Sequence, residues 1–115
     1  MSYSKRSLSI IVPIYNEAEM LPTVLPALLE YCGLNGFKLI LVNDGSKDGS
    51  LSIMNKMCTD INFVCIINHK LNRGYGAAIK SGIEICETEF AITIDADGQH
   101  FLEDIDKLYN KCISE

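Results

Sequence analysis

The sequence predicts an α/β domain, a Rossmann-like parallel sheet with helices on both faces. Three observations predict it. Four apolar runs, each rich in β-forming residues, recur along the chain: Leu8 to Ile14, Phe37 to Val42, Phe63 to Ile67 and Phe90 to Ile94. Each gives way to a polar loop and then to apolar residues at helical spacing. The runs are near-continuous rather than alternating, as expected of strands buried on both faces. Strands joined through helices pair in parallel, with right-handed crossovers.

In the first unit, Pro13 near the end of the run suits only an edge or terminal place in a ladder. Asn16 and the acidic pair Glu17 and Glu19 suit a helix start, and Leu21, Val24, Leu25, Leu28 and Leu29 trace the apolar face. Pro22 fits the first helical turn, Pro26 should remove a hydrogen bond and bend the helix, and Gly33 and Gly36 close the unit. The second run enters the loop Asn43-Asp44-Gly45-Ser46-Lys47-Asp48-Gly49-Ser50, with a helix expected from near Asp48 to Cys58 and Leu51, Met54 and Cys58 on one side. The third run leads through Asn68 to Arg73 into Gly74-Tyr75-Gly76-Ala77-Ala78. Its helix should reach Cys86 with Ala78, Ile79, Ile83 and Cys86 facing inward. The fourth run breaks at Asp95-Ala96-Asp97-Gly98, and Leu102, Ile105, Leu108, Tyr109 and Cys112 trace a last helix.

Composition excludes several function classes. A chain of 115 residues, 48% hydrophobic and without a linker-like stretch, suits one domain with a core, residues 8–115, behind a tail of residues 1–7. A net charge of −5 without a basic cluster argues against a nucleic-acid surface, so an anionic ligand needs a metal or helix N-termini. The five cysteines are odd in number, widely spaced and mostly at apolar positions, which predicts buried thiols in a reducing compartment. Lys5 and Arg6 precede an apolar run that stops at Pro13, too short for a signal peptide, and no segment approaches the roughly 18 apolar residues of a membrane span. A soluble, cytoplasmic chain is expected.

Ligands of such sheets bind beyond the carboxyl ends of the strands. Four polar clusters fall there: Tyr15 to Glu17, Asn43 to Asp48, His69 to Arg73 and Asp95 to His100. In extended chain, Asp95, Asp97 and Gln99 point the same way, and two carboxylates with an amide carbonyl are oxygen donors of the kind Mg²⁺ and Mn²⁺ prefer. The same Asp-x-Asp-Gly is also an ordinary turn. Dinucleotide and Walker A loops are absent. A D-x-D-G phosphatase would make Asp95 a nucleophile and Asp97 an acid, but that motif normally opens its domain, and only Gln99 to Glu115 follow here.

Val12-Pro13-Ile14-Tyr15-Asn16-Glu17, Val42-Asn43-Asp44-Gly45-Ser46-Lys47-Asp48-Gly49-Ser50, Asn72-Arg73-Gly74-Tyr75-Gly76-Ala77-Ala78 and Asp95-Ala96-Asp97-Gly98-Gln99-His100, in that order, resemble the motifs of family 2 glycosyltransferases with the GT-A fold. The dolichyl-phosphate-mannose-synthase-like branch is the most similar. The resemblance implies strand order 3-2-1-4 and makes residues 8–115 the nucleotide-sugar-binding portion of a longer GT-A domain. It implies that Pro13, Tyr15 and Glu17 border nucleobase and ribose, that Asp44 accepts a hydrogen bond from the base, and that Arg73 and the Gly74 to Gly76 backbone sit near the nucleotide. Asp95 would touch ribose or metal, Asp97 would be the principal ligand of Mg²⁺ or Mn²⁺, and Gln99 a further one. Plain alternatives stand beside these: packing for Tyr15, turn and cap for Asp44 and Asp48, a solvated charge for Arg73. Asn43 departs from the paired aspartates of many relatives.

The resemblance further implies a UDP- or GDP-linked sugar donor and a membrane lipid acceptor of the polyprenyl-phosphate type. It places the full-length protein at the cytoplasmic face of a membrane. No catalytic residue beyond Asp95 and Asp97 is expected in this half, which should be inactive alone and should self-associate through the exposed sheet edge. A non-catalytic nucleotide-binding or assembly module is the competing reading.

Overall fold

A computed structural model describes residues 8–96, together with Ile105, Lys107 and residues 109–111. Strands β1 (Leu8–Ile14), β2 (Lys38–Asp44), β3 (Val64–His69) and β4 (Phe90–Thr93) alternate with helices α1 (Leu21–Asn35), α2 (Ser50–Met57) and α3 (Tyr75–Glu84). All pairings are parallel, and the sheet order is β3-β2-β1-β4, as expected. Ile105, Lys107 and residues 109–111 are helical, consistent with the expected last helix, whereas Leu102, Leu108 and Cys112 lie outside the described residues.

Strand alternation divides the core in two. Leu8, Ile10, Val12 and Ile14 of β1, with Leu39 and Leu41 of β2, pack against Leu21, Leu25 and Leu28 of α1, Met54 of α2 and Ile105. The intervening residues Ile11, Ile40 and Val42 face Ala78 of α3. Burying a leucine or isoleucine contributes about 1.5–3 kcal/mol, so the first and larger cluster dominates stability.

Pro13 sits in a central strand, at the terminal position its chemistry permits. Ile94 N–H donates to the Ile11 carbonyl at 3.0 Å, so Ile11 and, two residues on, Pro13 direct their backbone groups toward β4, whose pairing stops at Thr93. The nitrogen without a hydrogen thus faces a ladder that has already ended. In α1, Pro22 occupies the first turn, and the helix continues through Pro26 to Gly36, which closes it in the left-handed conformation. Both prolines lie on the exposed side, where a carbonyl that loses its partner meets water.

Two expectations need correcting. Ile83 does not face inward but is 54% exposed, and the buried residues of α3 are Ala78 and Gly82. A Cβ on Gly82 would lie 2.6 Å from Ile11 Cγ2, so helix and sheet approach closer than a larger side chain allows. Not every cysteine is buried either. Cys32 and Cys58 are, and burial pushes the Cys32 thiol up to about 12, but Cys65 on the edge strand β3 is exposed and Cys86 half-buried. These four are free thiols, and Cys112 lies outside the described residues.

Candidate functional site

The four loops at the carboxyl ends of the strands do different work. Asn16 adopts a left-handed φ of 55°, which asparagine tolerates, and this turns its backbone and side chain toward the β2–α2 loop. Its N–H donates to Ser46 Oγ at 2.9 Å, and its Oδ1 accepts from Lys47 N–H at 2.8 Å. Glu17 N–H donates to Ser50 Oγ, and Ala18 N–H to Asp48 Oδ2. Asp48 Oδ1 accepts from Ser50 N–H, and these bonds hold the Asp48 carboxyl below the usual carboxylate range even though partial desolvation raises it. Ser46, Asp48 and Ser50 are therefore fastenings for the segment that leads into α1.

Asp44 ends β2 on the face occupied by Ile40 and Val42, the face covered by α3. It is 3% exposed, and both carboxylate oxygens are taken up by the chain. Oδ1 accepts from His69 Nδ1 and from Arg73 N–H, each at 2.9 Å. Oδ2 accepts from Gly74 N–H at 2.8 Å and from Asn72 Nδ2 at 3.2 Å. The consecutive N–H groups of Arg73 and Gly74 form an anion-binding concavity that this carboxylate fills from within. Desolvation raises the Asp44 carboxyl, but the hydrogen bonds from Arg73, His69 and Gly74 together outweigh it, and the net position is below the usual range.

The loop that Asp44 holds passes directly over Gly45. There φ is +73°, and a Cβ would come within 2.3 Å of the Asn72 nitrogen, so only glycine fits. One residue earlier on the opposite face, Asn43 Nδ2 donates to Asn68 Oδ1 at 2.8 Å across the β2–β3 ladder. Asn43 is buried and its side chain is used at both ends, since its Oδ1 also accepts from Ser46 N–H at 3.4 Å.

A cavity of about 480 Å³ opens above these ends, lined by Pro13, Ile14, Tyr15, Glu17, Asp44, Asn72, Gly74, Tyr75, Ala78, Asp95 and Ala96. The structure thus brings together Pro13, Tyr15, Glu17, Asp44 and Asp95 of the predicted set. The Arg73 side chain does not contribute to the lining, and its backbone N–H is spent on Asp44. Asp97 and Gln99 lie outside the described residues. Tyr75, whose side chain sequence reasoning gave no role, has its hydroxyl beside Asp95 and Thr93; desolvation and the Asp95 charge raise its phenol above the ordinary value. A larger cavity of about 1260 Å³ lies at the opposite end of the sheet, between Gly36, Phe37, Asn62, Phe63, Thr88 and Tyr109. It lies away from the polar clusters that follow the strands.

For a divalent cation, the described residues supply one donor of the expected set, the exposed Asp95 carboxylate on the cavity wall. Its oxygen chemistry suits a hard ion. Among the described residues no group of three His, Cys, Asp or Glu side chains forms a metal cluster.

Comparison with known proteins settles the family. Residues 9–114 match Glycosyl transferase family 2. The chain belongs to that family. It is 39% identical over 112 residues to the undecaprenyl-phosphate 4-deoxy-4-formamido-L-arabinose transferase of Pseudomonas syringae pv. syringae, covering 92% of this chain and 32% of the relative. The protein of the same name in Proteus mirabilis is 37% identical over 106 residues, covering 87% and 32%. The chain therefore spans about a third of the length of these relatives. Among solved structures, S. aureus TarS 1-349 in complex with UDP-GlcNAc matches with a TM-score of 0.70 at 24% identity, over 91% of this chain and 31% of that one. A mannosyltransferase from Pyrobaculum calidifontis in complex with GDP-Man and Mn²⁺ also gives 0.70, at 24% identity, over 78% and 27%. These likenesses show the glycosyltransferase fold and agree with the sheet order.

Proposed function

We propose that this chain is the donor-binding portion of a glycosyltransferase that moves a sugar from a UDP- or GDP-linked donor to a polyprenyl phosphate. The observation that carries the reading is the convergence of Pro13, Tyr15, Glu17, Asp44 and Asp95, from three separate strand ends, on one cavity. Tyr15 and Tyr75, both exposed at this end, offer faces for a base or ribose, and Asp95 offers an acceptor for a ribose hydroxyl. Asp44 offers the base one exchangeable position. Three of its donors are fixed, two of them backbone N–H groups and one a buried histidine, whereas Asn72 is exposed and makes the longest bond, 3.2 Å.

A Mg²⁺ or Mn²⁺ ion held by Asp95, Asp97 and Gln99 would act as a Lewis acid for charge building on the departing diphosphate. The choice between the two ions is open to titration. A polyprenyl phosphate needs no base, since a phosphate monoester with a second pKa of about 6 is already anionic near neutrality. The names of the curated relatives support this acceptor class, and a lipid acceptor would have the full-length protein work at the cytoplasmic face of a membrane. No described helix is long and apolar enough to cross one. The exposed edge strand β4 supports self-association, which light scattering tests: a monomer at all concentrations sinks it.

The deciding experiment is titration calorimetry with UDP and GDP, in Mn²⁺ and in EDTA, on the wild type and Asp97→Asn. Metal-dependent binding that the substitution removes supports the site, and equal affinity throughout refutes it.

A further inference from the structure

Behind the cavity wall runs a second line of polar groups. His69 ends β3 directly opposite Asp44 in the parallel register, buried at 5% exposure. Its Nδ1 lies 2.9 Å from Asp44 Oδ1, and its Nε2 lies 2.8 Å from Ser81 Oγ on α3. An ionised carboxylate only accepts, so Nδ1 carries the hydrogen. The hydroxyl of Ser81 suits either state of the ring: it donates to a bare Nε2 and accepts from a protonated one. The histidine is thus held at both nitrogens whichever charge it bears.

These distances match those of a nucleophilic triad, but the surroundings do not. Ser81 lies inside α3 and lines neither cavity described above. Its neighbouring amides are engaged by the helix, which leaves no pair of donors for an oxyanion. What the line reaches instead is the pocket. Asp44 holds the N–H groups of Arg73 and Gly74, and Gly74 and Tyr75 form the cavity wall at the start of α3. A side chain of α3 therefore fixes, through β3 and β2, the loop by which α3 itself begins.

We infer that Ser81 and His69 are positioning residues of the donor pocket: Ser81 orients the His69 ring, His69 orients the Asp44 carboxylate, and Asp44 sets the loop from Asn72 to Tyr75. The effect on nucleotide affinity rests on the function proposed above, whereas the effect on the loop does not.

The test therefore has an arm without ligand. Amide hydrogen exchange is measured on the wild type, Ser81→Ala and Ser81→Thr, with nucleotide affinity measured in parallel. Ser81→Ala should raise exchange at Arg73 and Gly74 about tenfold relative to core amides such as those of Ile10 and Leu41, and Ser81→Thr, which keeps the hydroxyl, should restore protection. UDP or GDP affinity should fall by a similar factor in the alanine variant and return with threonine. Unchanged exchange at Arg73 and Gly74 in Ser81→Ala overturns the proposal, as does a uniform rise at all amides, which marks a merely structural serine. A threonine variant that folds but exchanges like alanine overturns it too. Should the threonine methyl prevent folding, the alanine exchange pattern decides alone. A wild type that binds neither nucleotide sinks the donor-binding reading and leaves the exchange arm standing.

Discussion

The two sides of the sheet's carboxyl end, about the cavity, are built from the same kinds of residue and used in opposite ways. On the β2–β3 side, Asn43, Asp44, Ser46, Asp48, Asn68 and His69 bond to one another or to neighbouring backbone. On the β1–β4 side, Tyr15 and Asp95 are exposed, and Asp95 is met by one tyrosine. The contrast separates framework from reception, although motif residues stand on both sides. A buried polar group bonded by the chain stabilises and shapes, and an exposed one at the rim remains for a ligand.

The sharpest way to break this comparison is Asp44→Ala. Buried His69 would lose its acceptor at about 1–3 kcal/mol, and the less buried N–H groups of Arg73 and Gly74 would exchange theirs for water at about 0.5–1.5 kcal/mol each, so the protein should lose about 2–4 kcal/mol in urea unfolding. A variant as stable as wild type would make Asp44 a reader rather than a brace. Second in size is Gly82→Ala, whose Cβ must displace Ile11. A loss of about 1–3 kcal/mol is expected, read as a lower midpoint with an unchanged denaturant slope.

Acid should act through the framework wall. The Asp44 and Asp48 carboxyls lie lower in the folded chain than in the unfolded one, so the unfolded state binds protons first as pH falls. Their contribution is whole above the unfolded carboxylate value of about 3.9 and is lost as pH falls through the folded values. Urea midpoints measured from pH 6 downward should fall below about pH 4, and Asp44→Asn should flatten that fall. On the receptive wall, Asp95→Asn should change stability by less than about 0.5 kcal/mol while weakening metal-dependent nucleotide binding in calorimetry. The smallest effect is expected from Tyr75→Phe, which removes the hydroxyl beside Asp95 and should alter nucleotide affinity by about 1 kcal/mol or less in the same titrations.

The sheet was legible because apolar runs and their period report burial directly, and four polar loops after four runs could only fall at one end. The buried face of α3 was legible only in part, since Ala78 was expected inward and is buried whereas Ile83 is exposed. Periodicity marks hydrophobic residues, whereas α3 sits close enough to β1 to need a small one, and Gly82 carries no such signal. The cavity's lining followed from the strand ends, but the division of labour within it did not. Asp44 meets partners 25 to 30 residues away, and only the β2–β3 register puts His69 beside it. His69 stood in a polar cluster with nothing in its neighbours to distinguish it from a loop residue, and Ser81 stood in a helix.

Pro13 stands where the site opens. In a parallel ladder the bond after the one from Ile94 to Ile11 would run from the nitrogen of residue 13 to the Ile94 carbonyl, and a proline has no hydrogen to make it. Strands β1 and β4 are thus free to diverge just before Ile14 and Tyr15, and the cleft they leave is the one edged by Pro13 and Asp95. A missing hydrogen atom in a central strand falls where the sheet stops being a sheet and becomes the mouth of the cavity.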